Sequence, residues 1–189
     1  EILKTFKKDR YIDVRETPGK RSGAYNLGVY GVHPYILLNH QDDLDSLFTL
    51  VHECGHGAHS WLSSKHQPQI TAHYSIFVAE VASTVNEVLL INYLLKHEQD
   101  EQVRKYLLNH WMDQFKGTLF TQVMFAEFEM ITHELAEKGQ PLNVEVFNGT
   151  YEKLFREYNG DEIVFDDEVK YGWSRIPHFY RPFYVYKYA

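Results

Sequence analysis

His52-Glu53-Cys54-Gly55-His56 places two imidazoles and a carboxylate within five residues. On an α-helix, residues four apart lie about 40° from one another on one face, so both rings can grip one cation. Glu53 follows the first histidine in sequence but occupies an adjoining part of the helix surface, where it can meet a water on the metal without binding the metal. That donor set suits a metallohydrolase, and a zinc-dependent peptidase is the leading expectation. The pattern alone is weak, since chance places it in about one chain of this composition in twenty. Its setting adds weight. Asp42, Asp43 and Asp45 crowd a helix start, where carboxylates cap free N–H groups and complement the dipole, and Leu44, Leu47, Phe48 and Val51 then recur at helical spacing.

A catalytic zinc site needs a third protein ligand and a position left for water. His59, His73, Glu80 and Glu87 are the candidates. His59 shares the helix face of His52 but sits two turns away, which suits a pocket role better than a ligand. His73 falls in a loop that does not fix its direction. Glu80 stands within the apolar run Phe77-Val78-Ala79-Glu80-Val81-Ala82, where an ionised carboxylate must be paired or coordinate a metal. Glu87, seven residues on, shares that face and could hold a ligating histidine by its other ring nitrogen.

The elements that must position these groups read as mostly helical with a small β element. The first helix carries the pentad. Residues 64–73 are polar, contain Pro68 and read as a loop. Ser75 to His97 forms a second, largely buried helix. Residues 100–138 form a third long helical pattern interrupted near Gly117 and closed by Gly139 and Pro141, and Asn143 to Tyr158 a shorter amphipathic one. Upstream, Arg15 to Gly23 is turn-rich, and Tyr25 to Leu38 suggests two short strands or a hairpin. Gly28 and Gly31 there read as turn glycines, with close approach to an extended peptide as the functional alternative. Residues 171–188 are dense in Tyr, Phe and Trp, a pattern that by itself means packing.

Composition bounds the rest. At 189 residues, 44% hydrophobic and 15% aromatic, the chain can build one solid core, and a single globular unit is expected. A net charge of −7 without a Lys/Arg-rich block argues against nucleic acid and anionic membrane as partners. Cys54 is the only cysteine, which fits a reducing, cytoplasmic setting. No apolar run approaches the roughly 18 residues of a membrane span. The chain opens on Glu1 and stops at Ala189 within the aromatic stretch, so it reads as an excerpt of something longer.

His-Glu-x-Gly-His, followed 24 residues after its second histidine by Glu80 in Phe-Val-Ala-Glu-Val-Ala-Ser-Thr-Val-Asn-Glu, resembles the thimet oligopeptidase family, and most its bacterial oligoendopeptidase F branch. The resemblance extends to Gly19-Lys20-Arg21-Ser22-Gly23-Ala24-Tyr25, Val32-His33-Pro34-Tyr35, Met124-Phe125-Ala126-Glu127-Phe128-Glu129 and Ile176-Pro177-His178-Phe179-Tyr180. It implies a zincin-like metallopeptidase catalytic region over residues 1–189. One Zn2+ would be held by His52, His56 and Glu80, with Glu53 as general base and Glu87 supporting the metal shell. His178 and Tyr186 match the groups that donate hydrogen bonds to the tetrahedral intermediate, with Tyr180 and Tyr184 as neighbours. The family's strand that pairs with the peptide backbone falls around residues 25–33.

The function implied is hydrolysis of short peptides by Glu-assisted attack of a zinc-activated water, the water's pKa falling from 15.7 toward about 7. The family's proteins are much longer than this chain, so a zinc-binding but catalytically incompetent fragment is one alternative, and open apolar faces could pair with a second copy. A zinc carboxypeptidase is another, with Arg175 or Arg181 anchoring the substrate carboxylate. A di-iron carboxylate bundle fails on count: it needs two Glu-x-x-His motifs, and only Glu53-x-x-His56 occurs.

Overall fold

The computed structural model describes Phe6, residues 11–160 and residues 162–189. Their contacts gather into two compact units, one up to Leu107 and one from Leu108 onward.

In the first unit, Asp43 caps helix α1 (Leu44–His66) by accepting the Ser46 N–H at 2.8 Å. The helix runs through the pentad and past the expected loop boundary, and Gln69–Thr71 adds a short 3-10 turn. The predicted hairpin is present as β2 (Tyr25–Leu27) antiparallel to β3 (Tyr35–Leu37). A two-residue strand that patterning does not anticipate, β1 (Ile12–Asp13), pairs parallel to β3 on its other side. Ile36 at the sheet centre, Leu38 and Phe6 form a small buried core, against which Leu50 and Cys54 of α1 pack. Cys54 is thus a packing residue, and burial pushes its thiol up to about 11.

Helix α2 (Ile76–His97) corrects two expectations. It is not largely buried: only Ser83, Glu87 and Ile91 are, while Phe77 is 63% and Leu89 62% exposed. The physical reason is that α2 turns a polar stripe toward α1. A Cβ on Gly55 would stand 2.7 Å from the Ala82 carbonyl oxygen and 2.8 Å from Ser83 Cα, so the helices meet backbone to backbone. The helix is also long and apolar enough, by length and composition, to cross a membrane. Glu80 and Glu87 interrupt its run in sequence, yet their weight disappears in the average; both engage His52 of α1.

In the second unit, the long helical pattern is α3 (Glu101–Phe115) and α4 (Thr121–Glu137) joined by a π-helical turn, Lys116–Phe120, at the interruption expected near Gly117. Gly139, in the left-handed conformation that glycine adopts freely, closes α4. Asn143 caps α5 (Val144–Asn159) through the Val146 N–H. Met124, Phe128, Tyr151, Leu154 and Ile176 make this unit's core. The aromatic segment folds over it as 3-10 turns, Asp167–Arg175, Pro177–Tyr180 and Val185–Tyr188.

Gly55→Ala is expected to force α1 and α2 apart, because the atoms it meets are backbone and cannot swing away. The expected cost is about 1–3 kcal/mol, read as a lowered thermal midpoint; an unchanged midpoint would show that the contact is not needed.

Candidate metal centre

His52 and His56 occupy successive turns of α1 and Glu80 the first turns of α2, and the three converge. The His52 and His56 Nε2 atoms are 3.1 Å apart, and Glu80 Oε2 lies 3.4 Å from the first and 3.7 Å from the second. Ligands about 2.0–2.1 Å from a tetrahedral ion stand about 3.3–3.4 Å from one another, so the three atoms already outline one face of such a polyhedron. Among the described residues this is the one cluster of His, Cys, Asp and Glu that could hold a metal ion.

The surrounding groups fix these side chains. Glu87 is hydrogen-bonded to His52 Nδ1, which leaves Nε2 aimed at the cluster. Ser83, fully buried, donates to Glu80 Oε2 at 3.0 Å. Sequence reasoning misses Ser83; a serine three residues after a carboxylate carries no signal until the helix is packed. His59 stacks on Tyr74 instead of joining the cluster, and His73 is exposed.

Electrostatics follow from this crowding. Burial alone would lower His52, but hydrogen bonds and charge from Glu80 and Glu87 raise it to about 10. Burial would likewise raise Glu80, yet its bond to His52 and the charges of His56 and His52 hold it below the usual carboxylate range. His56 is lowered by burial and by the neighbouring His52. Glu53 differs from all of these. It is buried, its Oε2 has no hydrogen-bond partner, and burial lifts it to about 7 against the pull of His52. A carboxylate with one oxygen left unpartnered beside a candidate metal cluster, and balanced near neutral pH, has the properties of a general base.

The second unit holds the other expected site residues. Glu129, buried under the aromatic segment, accepts the backbone N–H groups of Tyr184 at 3.2 Å and Tyr186 at 3.4 Å. Phe183, just before them, has φ 53, a left-handed conformation that costs a bulky side chain energy and that Glu129 helps to hold. His178 stacks on Tyr184, whose hydroxyl meets that of Tyr188 at 3.0 Å. Tyr180 spends its hydroxyl on the Ser174 carbonyl. Tyr186 is 52% exposed.

Two long helices clasping one candidate metal centre beside a small sheet define the class, a mostly α, zincin-like metallopeptidase fold. The chain belongs to Peptidase family M3, whose model matches residues 2–189. It is 53% identical over 188 residues to oligopeptidase PepF of Bacillus subtilis, covering 100% of this chain and 28% of that protein. A solved chain from Chlamydophila abortus is 44% identical, with a TM-score of 0.78 over 100% of this chain and 32% of that one. The crystal structure of oligoendopeptidase-F from Enterococcus faecium is 50% identical, with a TM-score of 0.62 over 77% of this chain and 26% of that one. The chain therefore spans less than a third of the length of each of these relatives.

A divalent metal entering the cluster must displace the proton that His52 holds up to about pH 10. Its apparent affinity should therefore rise about tenfold per pH unit between about pH 6 and 8, measured by competition with a chelator; a flat profile would contradict the protonation assigned to His52. In the same assay Glu80→Ala should weaken binding, and affinity equal to the parent would place the third ligand elsewhere.

Proposed function

We propose that residues 1–189 are the catalytic region of a zinc-dependent endopeptidase that hydrolyses short peptides in the cytoplasm. One observation carries the proposal: a buried Glu53 carboxylate with one oxygen unpartnered, next in sequence to a cluster of two imidazoles and a carboxylate at near-tetrahedral spacing. Membership of Peptidase family M3 supports peptides as the substrate class. The donor set of two nitrogens and one oxygen is one that zinc takes in catalytic sites.

Zinc held by His52, His56 and Glu80 would supply Lewis acidity, acidifying a water and polarising the scissile carbonyl. The remaining steps belong to the chain's own groups. Glu53 takes the water's proton, burial having lifted its carboxylate to about 7 so that it can accept near neutral pH, and hands the proton to the leaving amine. Glu87 holds His52 in the tautomer that presents Nε2. We assign His178 and Tyr186 as donors to the carbonyl oxygen as charge develops, an assignment supported by the family strings that carry them. Removing one such donor in other enzymes costs about 3 kcal/mol of transition-state stabilisation. The edge strand β2 suits pairing with an extended peptide backbone.

Carboxypeptidase activity is the second reading. Arg175, which lines a largely apolar cavity of about 590 Å³ together with Phe120, Met124 and Tyr151, and Arg181 are the candidate anchors for a substrate's terminal carboxylate. Cleavage of peptides with an amidated C-terminus favours the endopeptidase, and strict dependence on a free carboxylate favours this second reading.

Glu53→Gln is expected to keep the metal, since the ligands are untouched, and to lose at least about 10²–10³-fold in kcat. Metal content by elemental analysis together with a quenched-peptide assay checks both halves, and hydrolysis at the parental rate would refute the mechanism.

A further inference from the structure

Ser60 continues the stripe of α1 that carries His52 and His56, one turn beyond His56, and it is buried. Its hydroxyl is a junction of three elements. It donates to Asn26 Oδ1 of β2 at 3.3 Å and lies 2.6 Å from the Tyr74 hydroxyl, from which it can accept. Tyr74 stands immediately before the N-cap of α2 and stacks on His59. Asn26 in turn donates to the Tyr35 carbonyl of β3 at 3.4 Å.

Gly28, the residue after β2, is where the strand comes down on the helix. A Cβ there would lie 2.6 Å from Ser60 Oγ and 2.8 Å from Ser60 Cβ. Gly31 is the turn glycine the sequence suggests, at φ 77, but Gly28 is bare because Ser60 occupies the space. The sheet order β1-β3-β2 leaves β2 at an edge, and an edge strand can take up an extended chain by backbone hydrogen bonding.

We propose that Ser60 is a positioning residue: through Asn26, Tyr74 and the bare Cα of Gly28 it fixes the spacing between the edge strand and the metal-binding turn of α1, and so the register at which an extended peptide lies along β2. A shift of the strand by even one residue would carry the wrong carbonyl to the metal. This role rests on the reading that an extended peptide is the ligand.

Binding of a blocked, extended hexapeptide to the zinc-loaded Glu53→Gln protein tests the role without requiring turnover. Gly28→Ala should weaken binding about tenfold with zinc content unchanged, because the added methyl pushes the strand off Ser60. Made in a Ser60→Gly background, where the space is vacated, Gly28→Ala should cost nothing further. Tyr74→Phe, which keeps the ring and removes only the hydroxyl, should weaken binding by a smaller factor. Equal cost of Gly28→Ala in both backgrounds, loss of zinc from Gly28→Ala, or peptide affinity unmoved by Gly28→Ala or Tyr74→Phe overturns the proposal. A peptide that binds with the expected pattern but is never cleaved by the unsubstituted protein overturns the hydrolysis reading and leaves the spacing role standing.

Discussion

The bare Cα of Gly55 is the constraint on which the first unit depends. Any side chain there would strike the Ala82 carbonyl and Ser83 Cα, so only glycine lets α1 and α2 come within backbone contact. At that separation Glu80 and Glu87, seven residues apart on one face of α2, both reach His52, one at each ring nitrogen. Without it the two carboxylates would face solvent or, in an apolar helix, bear an unrelieved desolvation cost. Helix packing and the convergence of the candidate metal-binding groups are thus one event.

That arrangement also explains why one carboxylate is treated unlike its neighbours. Glu80 and Glu87 are compensated by His52, whereas Glu53 is on the same helix as the rings and turns into a buried position with an oxygen left unpartnered. Burial raises its pKa while Glu80, paired, stays ionised, and groups pushed apart in this way are what acid–base chemistry needs. In the second unit another buried acid, Glu129, plays a different part. It takes up two backbone N–H groups and holds the aromatic segment around Phe183 in a conformation that the segment would not choose alone.

Much of this is legible in the sequence wherever the signal is local. The acidic start of α1 at Asp42, Asp43 and Asp45, the 3.6-residue period of that helix, the hairpin around β2 and β3, and the amphipathic helix that begins near Asn143 all depend on neighbours in sequence. The candidate cluster is legible for a related reason: helical spacing puts His52 and His56 on one face, and a carboxylate at position 80 inside an apolar run demands a partner, which here includes His52. What is not legible depends on approach between elements. Hydrophobic content alone would send the apolar side of α2 to the interior, whereas here a polar stripe paired with histidines chooses the buried face. Ser83, Gly28 and Ser60 look ordinary in sequence and acquire their roles only when a second element arrives close by, or, for Ser83, when Glu80 is drawn to the histidines. Strand β1, two residues long, has no periodicity to read.

The central claim is that one metal ion is shared by two imidazoles of α1 and a carboxylate of α2. Anomalous diffraction from zinc-loaded crystals tests it most directly. The account predicts a single strong peak within about 2.0–2.2 Å of His52 Nε2, His56 Nε2 and a Glu80 carboxylate oxygen. A peak ligated by other groups, or by the two histidines with Glu80 turned away, would contradict it.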